Sequence, residues 1–404
     1  MTHGETTSRG DRLQAAEHAL DAIDPAVRAV HLGGKLAVRA TRPVQTSEDL
    51  ALVYTPGVAE VCAAIHAHEA LAYDLTIKRN SVAVISDGSA VLGLGDIGPT
   101  AAMPVMEGKA LLFSELAGID AYPLCLDERD PDRLVDIIAS LCAGFGGINL
   151  EDISAPRCFE IEGKLRQRLD IPVFHDDQHG TAVVVLAALH NALKIVGKEL
   201  AGLRVVVQGI GAAGVAISNL LMAAGVRDLI GVDRDGIVTP RRATARDPIL
   251  RRLAKQSNPR AVRGGVEEAL AGADVFIGVS APNTITAAHL ELMARDAIVF
   301  AMANPVPEID PALARRRAAV VATGRSNEPN QINNLLCFPG LFRGLLDARA
   351  RTVGDRVKLA AAEAIAEAVP VGELTAERVV PSPLDPAVVP AVAAAVAKAS
   401  RVAD

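Results

Sequence analysis

Three closely spaced glycines do most to limit the folds open to this chain. Gly209-Ile-Gly-Ala-Ala-Gly214 follows the apolar run Leu203-Arg-Val-Val-Val-Gln208 and opens onto VAISNLLMAAG, which suits a buried helix. Strand, glycine turn and helix in that order predict a Rossmann-like dinucleotide turn. The next β-type run ends at Gly231-Val-Asp233, about 24 residues past the first glycine. Gly209 permits the tight turn, Gly211 lets the backbone approach a pyrophosphate, and Gly214 allows close helix packing, with the anion on the helix N-terminus. Asp233 would accept the ribose hydroxyls. The bland alternative is a tight strand-to-helix turn that holds no ligand.

The alternation extends in both directions. Downstream come apolar runs at Asp274–Val279, Ala297–Ala301 and Ala319–Ala322, which complete a doubly wound sheet. Upstream, a strand at Ser81–Ser86, a helix through Met103 to Leu116, a strand at Ala121–Leu126 and further elements to Leu169 form another α/β block. The expected fold is therefore an N-terminal α/β substrate and metal domain over 1–174, then a Rossmann-like doubly wound NAD(P)-binding domain over 175–404. A helical tail from about 345 is expected to pack back on the first. The first 30 or so residues read as a mobile start and a short helix.

Two apolar runs end in acids. GFGGIN leads into Glu151 and Asp152, and Pro172-Val-Phe-His leads into Asp176 and Asp177 just before a helix. Carboxylates at the carboxyl ends of strands sit where open α/β sheets bind ligands, and together they suit a hard divalent cation with oxygen ligands. Any one acidic pair alone reads more readily as a solvated loop, and it is the second pair at a strand end that favours a site. His175 and His179 invite a zinc reading, but their spacing across a strand-to-helix corner does not put both on one face, so supporting or surface roles are expected. Val183 to Leu189, Met103 and Met106 read as core.

Composition narrows the function. The chain has 404 residues, half of them hydrophobic, enough for two substantial cores. A net charge of -7 without a basic stripe argues against nucleic acid and anionic membrane as partners. Five cysteines without a C-x-x-C spacing suggest neither disulfides nor zinc, and a reducing cytoplasm fits them. The polar opening MTHGETTSRGDR lacks the apolar core of a signal peptide, so neither export nor membrane insertion is expected.

Val53-Tyr-Thr-Pro-Gly-Val58, Ser86-Asp-Gly-Ser-Ala-Val-Leu-Gly-Leu-Gly-Asp-Ile-Gly98, Pro104-Val-Met-Glu-Gly-Lys109, Asn149-Leu-Glu-Asp152, Phe174-His-Asp-Asp-Gln-His-Gly-Thr181, Asn304-Pro305 and Asn330-Gln-Ile-Asn-Asn334 together resemble the malic enzymes of the compact bacterial kind. The resemblance runs from about 33 to about 345. It implies oxidative decarboxylation of L-malate to pyruvate and CO2 with NAD or NADP and a divalent metal, Mg2+ or Mn2+. By motif position, Glu151, Asp152 and Asp177 resemble the metal ligands, and Tyr54 and Lys109 the acid and base pair. Without the resemblance, Tyr54 would read as a half-buried packing residue and Lys109, near a helix start, as solvated.

Larger members of the family carry an arginine for the substrate carboxylate within the stretch that reads Asp87–Gly93 here, where no basic residue stands. Asn304, Asn333 and Asn334 with backbone N–H groups are the candidates that replace it, and Asn304 is also expected at the cofactor. The phosphotransacetylase-like domain fused to some bacterial relatives is not expected.

Malate's hydroxyl and adjacent carboxylate would chelate one metal on Glu151, Asp152 and Asp177, which fixes C2 against the nicotinamide. Lys109 would take the hydroxyl proton if a nearby cation and partial burial lower its pKa, Tyr54 would protonate C3 of the enolate, and Asp176 would orient Lys109 or the ligands. Asp233 should repel a 2'-phosphate and favour NAD, although the neighbouring Arg234 offers that phosphate a partner. A homodimer is the expected assembly. The alternatives are a malolactic-type conversion of malate to lactate and a non-catalytic nucleotide-sensing relative.

Overall fold

The computed structural model describes residues 9–91, 93–242 and 248–401. The first eight residues of the expected mobile start, and Leu92 within the motif at 86–98, lie outside them. Fully apolar runs make the strands. β1 (Ser81–Ser86), β2 (Asp120–Cys125), β3 (Gly147–Leu150) and β4 (Val173–His175) pair in parallel in the order β2-β1-β3-β4. Every residue of β1, β3 and β4 is buried, as a parallel sheet covered on both faces requires. Register then places the functional ends. Leu150 pairs with His175, so the next residues, Glu151 and Asp176, leave the sheet side by side.

The second sheet contains β5 (Arg204–Gln208), β6 (Asp228–Asp233), β7 (Gly236–Ile237), β8 (Val275–Gly278), β9 (Ile298–Ala301) and β10 (Val320–Thr323), ordered β10-β9-β8-β5-β6-β7. All its pairings are parallel except the short β6–β7 hairpin. Strand order turns around at β5, which makes its carboxyl end the crevice where such sheets receive a ligand.

Helix α1 (Gly98–Ala117) and helix α2 (Arg157–Arg168) pack on the first sheet, and α3 (Asp176–Val196) runs between the units beside α4 (Ala212–Ala224). Val183 to Leu189 on α3 are all buried, as expected. Met106 is core, but Met103, expected there too, is 37% exposed because it lies on the opposite face of α1. Among the described residues, two stretches are long and apolar enough to cross a membrane, Asp176–Val196 and Ser47–Ala67. The first is a core helix; the second divides into Ser47–Val53 and Val58–Ala67 and carries Glu48, Asp49 and Glu60.

The chain next returns to the first unit. On α5 (Phe338–Asp347), the rings of Phe338 and Phe342 stand 4.7 and 5.3 Å from Phe113 of α1. Beyond α6 (Asp355–Glu367), which packs on α3, α7 (Val388–Arg401) lies on α5. Gly340 and Gly344 make that approach possible: a Cβ at Gly340 would fall 2.7 Å from Val392 Cβ, and one at Gly344 would fall 2.4 Å from the Ala393 carbonyl.

Candidate active site

The matched ends of β3 and β4 bring three carboxylates together. Carboxylate oxygens of Glu151, Asp152 and Asp177 lie within 4.8 Å of one another. The Asp152 backbone N–H donates to Asp177 Oδ2 at 2.8 Å, and Asp152 takes a left-handed φ of 53° as the chain turns off the strand. Glu151 and Asp152 are buried, and the Asp177 side chain is 34% exposed. Asn149 Nδ2 donates to Glu151 Oε2 at 2.8 Å, while Asp152 Oδ2 is buried without a partner among the described residues.

Lys109 enters this cluster from the middle of α1. Its Nζ is 2.6 Å from Asp176 Oδ2 and 3.0 Å from Glu151 Oε1, and it stands 4.1 Å from the centre of the Phe338 ring. The expectation of a solvated lysine near a helix start fails because the helix begins at Gly98, about three turns earlier, which places Lys109 mid-helix and facing inward. Asp176 fits because position 180 has no side chain: a Cβ at Gly180 would sit 1.9 Å from Asp176 Oδ1 and 3.2 Å from Asn334 Cβ.

Electrostatics follows from crowding. Burial pushes Asp176 up to about 7, against the pull of Lys109. Burial and mutual repulsion also raise Glu151, Asp152 and Asp177 above the ordinary carboxylate range. For Lys109, burial acts downward but Asp176 and Glu151 outweigh it, so the ammonium is held well above its ordinary value. This is opposite to the lowering that a resting general base needs.

Two residues missed in the sequence brace the site, one of them at the start of α3. Glu162, buried on α2, meets His179 Nε2 at 2.9 Å, and its carboxyl is brought to about 2 because His179, His175 and Arg166 outweigh burial. Its one signal is a carboxylate on the apolar face formed by Cys158, Ile161 and Leu165. His175 is fully buried beneath Asp177, 3.7 Å from Nδ1 to Oδ2, and burial lowers it to about 4. Neither histidine is a surface group. Arg157, the other omission, pairs with buried Asp87 at 2.7 Å.

The remaining candidates divide. Asn334 lies beside Asp176 across Gly180. Asn333 spends its Oδ1 on the Leu335 N–H at 2.9 Å, as the cap of a short 3-10 helix. Asn304 follows β9 and its backbone carbonyl faces Gly93, whose Cβ would lie 3.2 Å away. Tyr54 is not brought to Lys109 within the chain: it is 66% exposed, and its hydroxyl makes no hydrogen bond among the described residues.

At the glycine turn, Gly209 has φ of 97°, and a Cβ there would strike the Val279 carbonyl at 2.4 Å. A Cβ at Gly214 would fall 1.8 Å from the Gly209 carbonyl, whereas Gly211 faces open space. Beside the turn is a pocket of about 380 Å³, lined by Pro156 and Phe159 from the first unit and by Gly211, Asp233, Arg234 and Asp235 from the second. Asp233 Oδ1 accepts from Arg242 at 2.7 Å.

A wound parallel sheet with this turn and pocket, joined to a second α/β unit that ends in buried acids, defines a nicotinamide-dinucleotide oxidoreductase. Residues 33–166 match the malic enzyme N-terminal domain and residues 178–401 the malic enzyme NAD binding domain. The chain belongs to the malic enzyme family. It is 58% identical over 92% of its length to a Geobacillus stearothermophilus protein named NAD-dependent malic enzyme, covering 77% of that protein. It is 51% identical to a Bacillus subtilis bifunctional malic/malolactic enzyme, over 91% of this chain and 90% of that one. The solved structure of an NAD-dependent malic enzyme from Thermotoga maritima superposes with a TM-score of 0.88 at 46% identity, over 93% of this chain and 99% of that one.

Proposed function

We propose that this malic enzyme oxidises and decarboxylates L-malate to pyruvate and CO2 with NAD as the preferred hydride acceptor and Mg2+ or Mn2+ at Glu151, Asp152 and Asp177. The observation that carries the reading is the convergence of these three carboxylates, within 4.8 Å, beside the Lys109–Asp176 pair. The donor set is all oxygen, and Asp152 Oδ2 is buried without a protein partner, so the residues fit a hard cation. When bound, such an ion supplies Lewis-acid polarisation of the oxygen on C2.

The chain's own groups do the rest. Asp176 fixes Lys109 and can receive the proton of its ammonium, so that the neutral amine takes the C2 hydroxyl proton once Glu151 is engaged elsewhere. NAD, when bound, would accept the C2 hydride; loss of the carboxylate beta to the ketone as CO2 would then leave C3 to be protonated by Tyr54, supplied by a second copy of the chain. Asn334, next to Asp176, is the asparagine best situated to receive a substrate carboxylate, with Asn304 serving substrate and cofactor and Asn333 supporting the turn. Asp233 receives the ribose diol and disfavours a 2'-phosphate.

A homodimer is part of the reading. Leu20, Val30, Leu32, Leu50, Leu52 and Val53 are exposed along the segment that carries Tyr54, an apolar surface suited to a second copy. Five free cysteines support a reducing cytoplasm. The test is malate-dependent reduction of NAD and NADP with Mn2+, quantifying pyruvate, lactate and CO2, with mass measured by light scattering. Pyruvate, CO2 and reduced NAD in equal amounts are expected. Lactate without net reduction would instead favour the malolactic reading, which the Bacillus subtilis relative keeps in play. Nucleotide binding without turnover would favour the sensing one.

A further inference from the structure

Asp233 ends β6 and lines the pocket beside the glycine turn, yet only one of its oxygens is uncommitted. Oδ1 accepts the Asp235 backbone N–H at 2.8 Å and Arg242 Nη2 at 2.7 Å. Arg242 reaches it from beyond β7, where the hairpin folds the chain back. Its Nη1 donates to the carbonyls of Gly236 at 2.7 Å and Ile237 at 2.8 Å, so a planar fork is fixed on three acceptors. Arg242 does not line the pocket. Arg234 does, and it makes no ion pair among the described residues.

A carboxylate at this position does two separable things to a dinucleotide. It accepts hydrogen bonds from the ribose diol, and its charge repels a phosphate on the 2' oxygen. The first needs an aimed oxygen and the second needs net charge. A guanidinium clamped on Oδ1 leaves Oδ2 available to accept, while it offsets much of the charge that a 2'-phosphate would meet.

We propose that Arg242 is a positioning residue that sets cofactor selectivity: clamped on Asp233, it keeps one oxygen for the ribose diol and lowers the barrier against a 2'-phosphate, so that NAD is preferred and NADP is still accepted. The proposal rests on the reading of this pocket as the adenosine end of the dinucleotide site.

Equilibrium titration of the full chain with NADH and with NADPH, followed by nucleotide fluorescence, tests it without turnover. Arg242→Gln should weaken NADPH binding about tenfold, the scale of one charge interaction at a partly exposed site, and NADH binding less than about threefold. Arg242→Lys, which keeps the charge and loses the fork, should fall between the wild type and Arg242→Gln, and it carries the test if Arg242→Gln does not fold. Adenosine 2',5'-bisphosphate competing against NADH should lose affinity in parallel with NADPH, while adenosine 5'-monophosphate should not. An NADPH-to-NADH ratio unchanged from wild type, or equal losses for both, would overturn the proposal and leave Arg242 a structural clamp. Asp233→Ser separates the underlying reading: if it alters neither dissociation constant, Asp233 does not face the ribose and the assignment of the pocket itself is wrong.

Discussion

Lys109 is held by three neighbours, with Asp176 and Glu151 on its ammonium and the Phe338 ring beneath it. Truncation removes the proposed base and leaves two buried acids without their shared cation. Lys109→Ala should therefore lower turnover by about 10²–10⁴, with NADH binding retained; near-normal turnover would remove the lysine from the chemistry. Asp177→Asn keeps the shape of a ligand and loses its charge. The Mn2+ concentration for half-maximal rate should rise well above that of wild type, with a smaller change in melting temperature, whereas wild-type saturation at full rate would show that Asp177 is not a ligand. The raised acids also make a pH statement. Asp176, ordinarily near 3.8 and here near 7, holds its proton more tightly folded than unfolded, so its contribution to stability declines as pH rises from about 4 to about 7. Protons and a divalent ion compete for the neighbouring carboxylates, which are raised in the same sense. The rise in melting temperature given by Mn2+ should thus be larger at pH 8 than at pH 6, and equal increments would contradict it.

At the scale of elements, the turn after β5 is the most constrained piece. A side chain at Gly214 meets backbone, the Gly209 carbonyl at 1.8 Å, so the helix must move rather than a flexible neighbour. Gly214→Ala should cost about 1–3 kcal/mol in chemical denaturation and weaken NADH binding more than any variant of the acidic cluster does. The glycine turn and the acids at strand ends were legible in the sequence because apolar runs followed at once by glycine or carboxylate mark where strands stop. Pairing between strands was not. Nothing local says that Leu150 lies opposite His175, which is what makes two acidic pairs into one cluster. Helix phase was equally hidden: from a start at Gly98, Met106 and Lys109 face inward and Met103 outward. Arg242 lies nine positions beyond Asp233 and meets it only because the β6–β7 hairpin reverses the chain. Glu162 is visible only as a charge out of place on an apolar face.

Across the whole molecule, one packed core runs through both sheets, from Val82 and Phe113 through Val205 and Phe300 to Val392. Units that share a core unfold together, so calorimetry should record a single transition; two resolved peaks would mean that the units melt separately. The same continuity has a consequence for biosynthesis. Phe338 lies under Lys109, and the helix that bears it, α5, is covered through Gly340 and Gly344 by α7, residues Val388–Arg401. A nascent chain halted at residue 387 would already contain all the motifs quoted above, yet the helix beneath Lys109 would still be bare on one side. The packing around Lys109 therefore depends on a helix that carries none of the residues proposed to react.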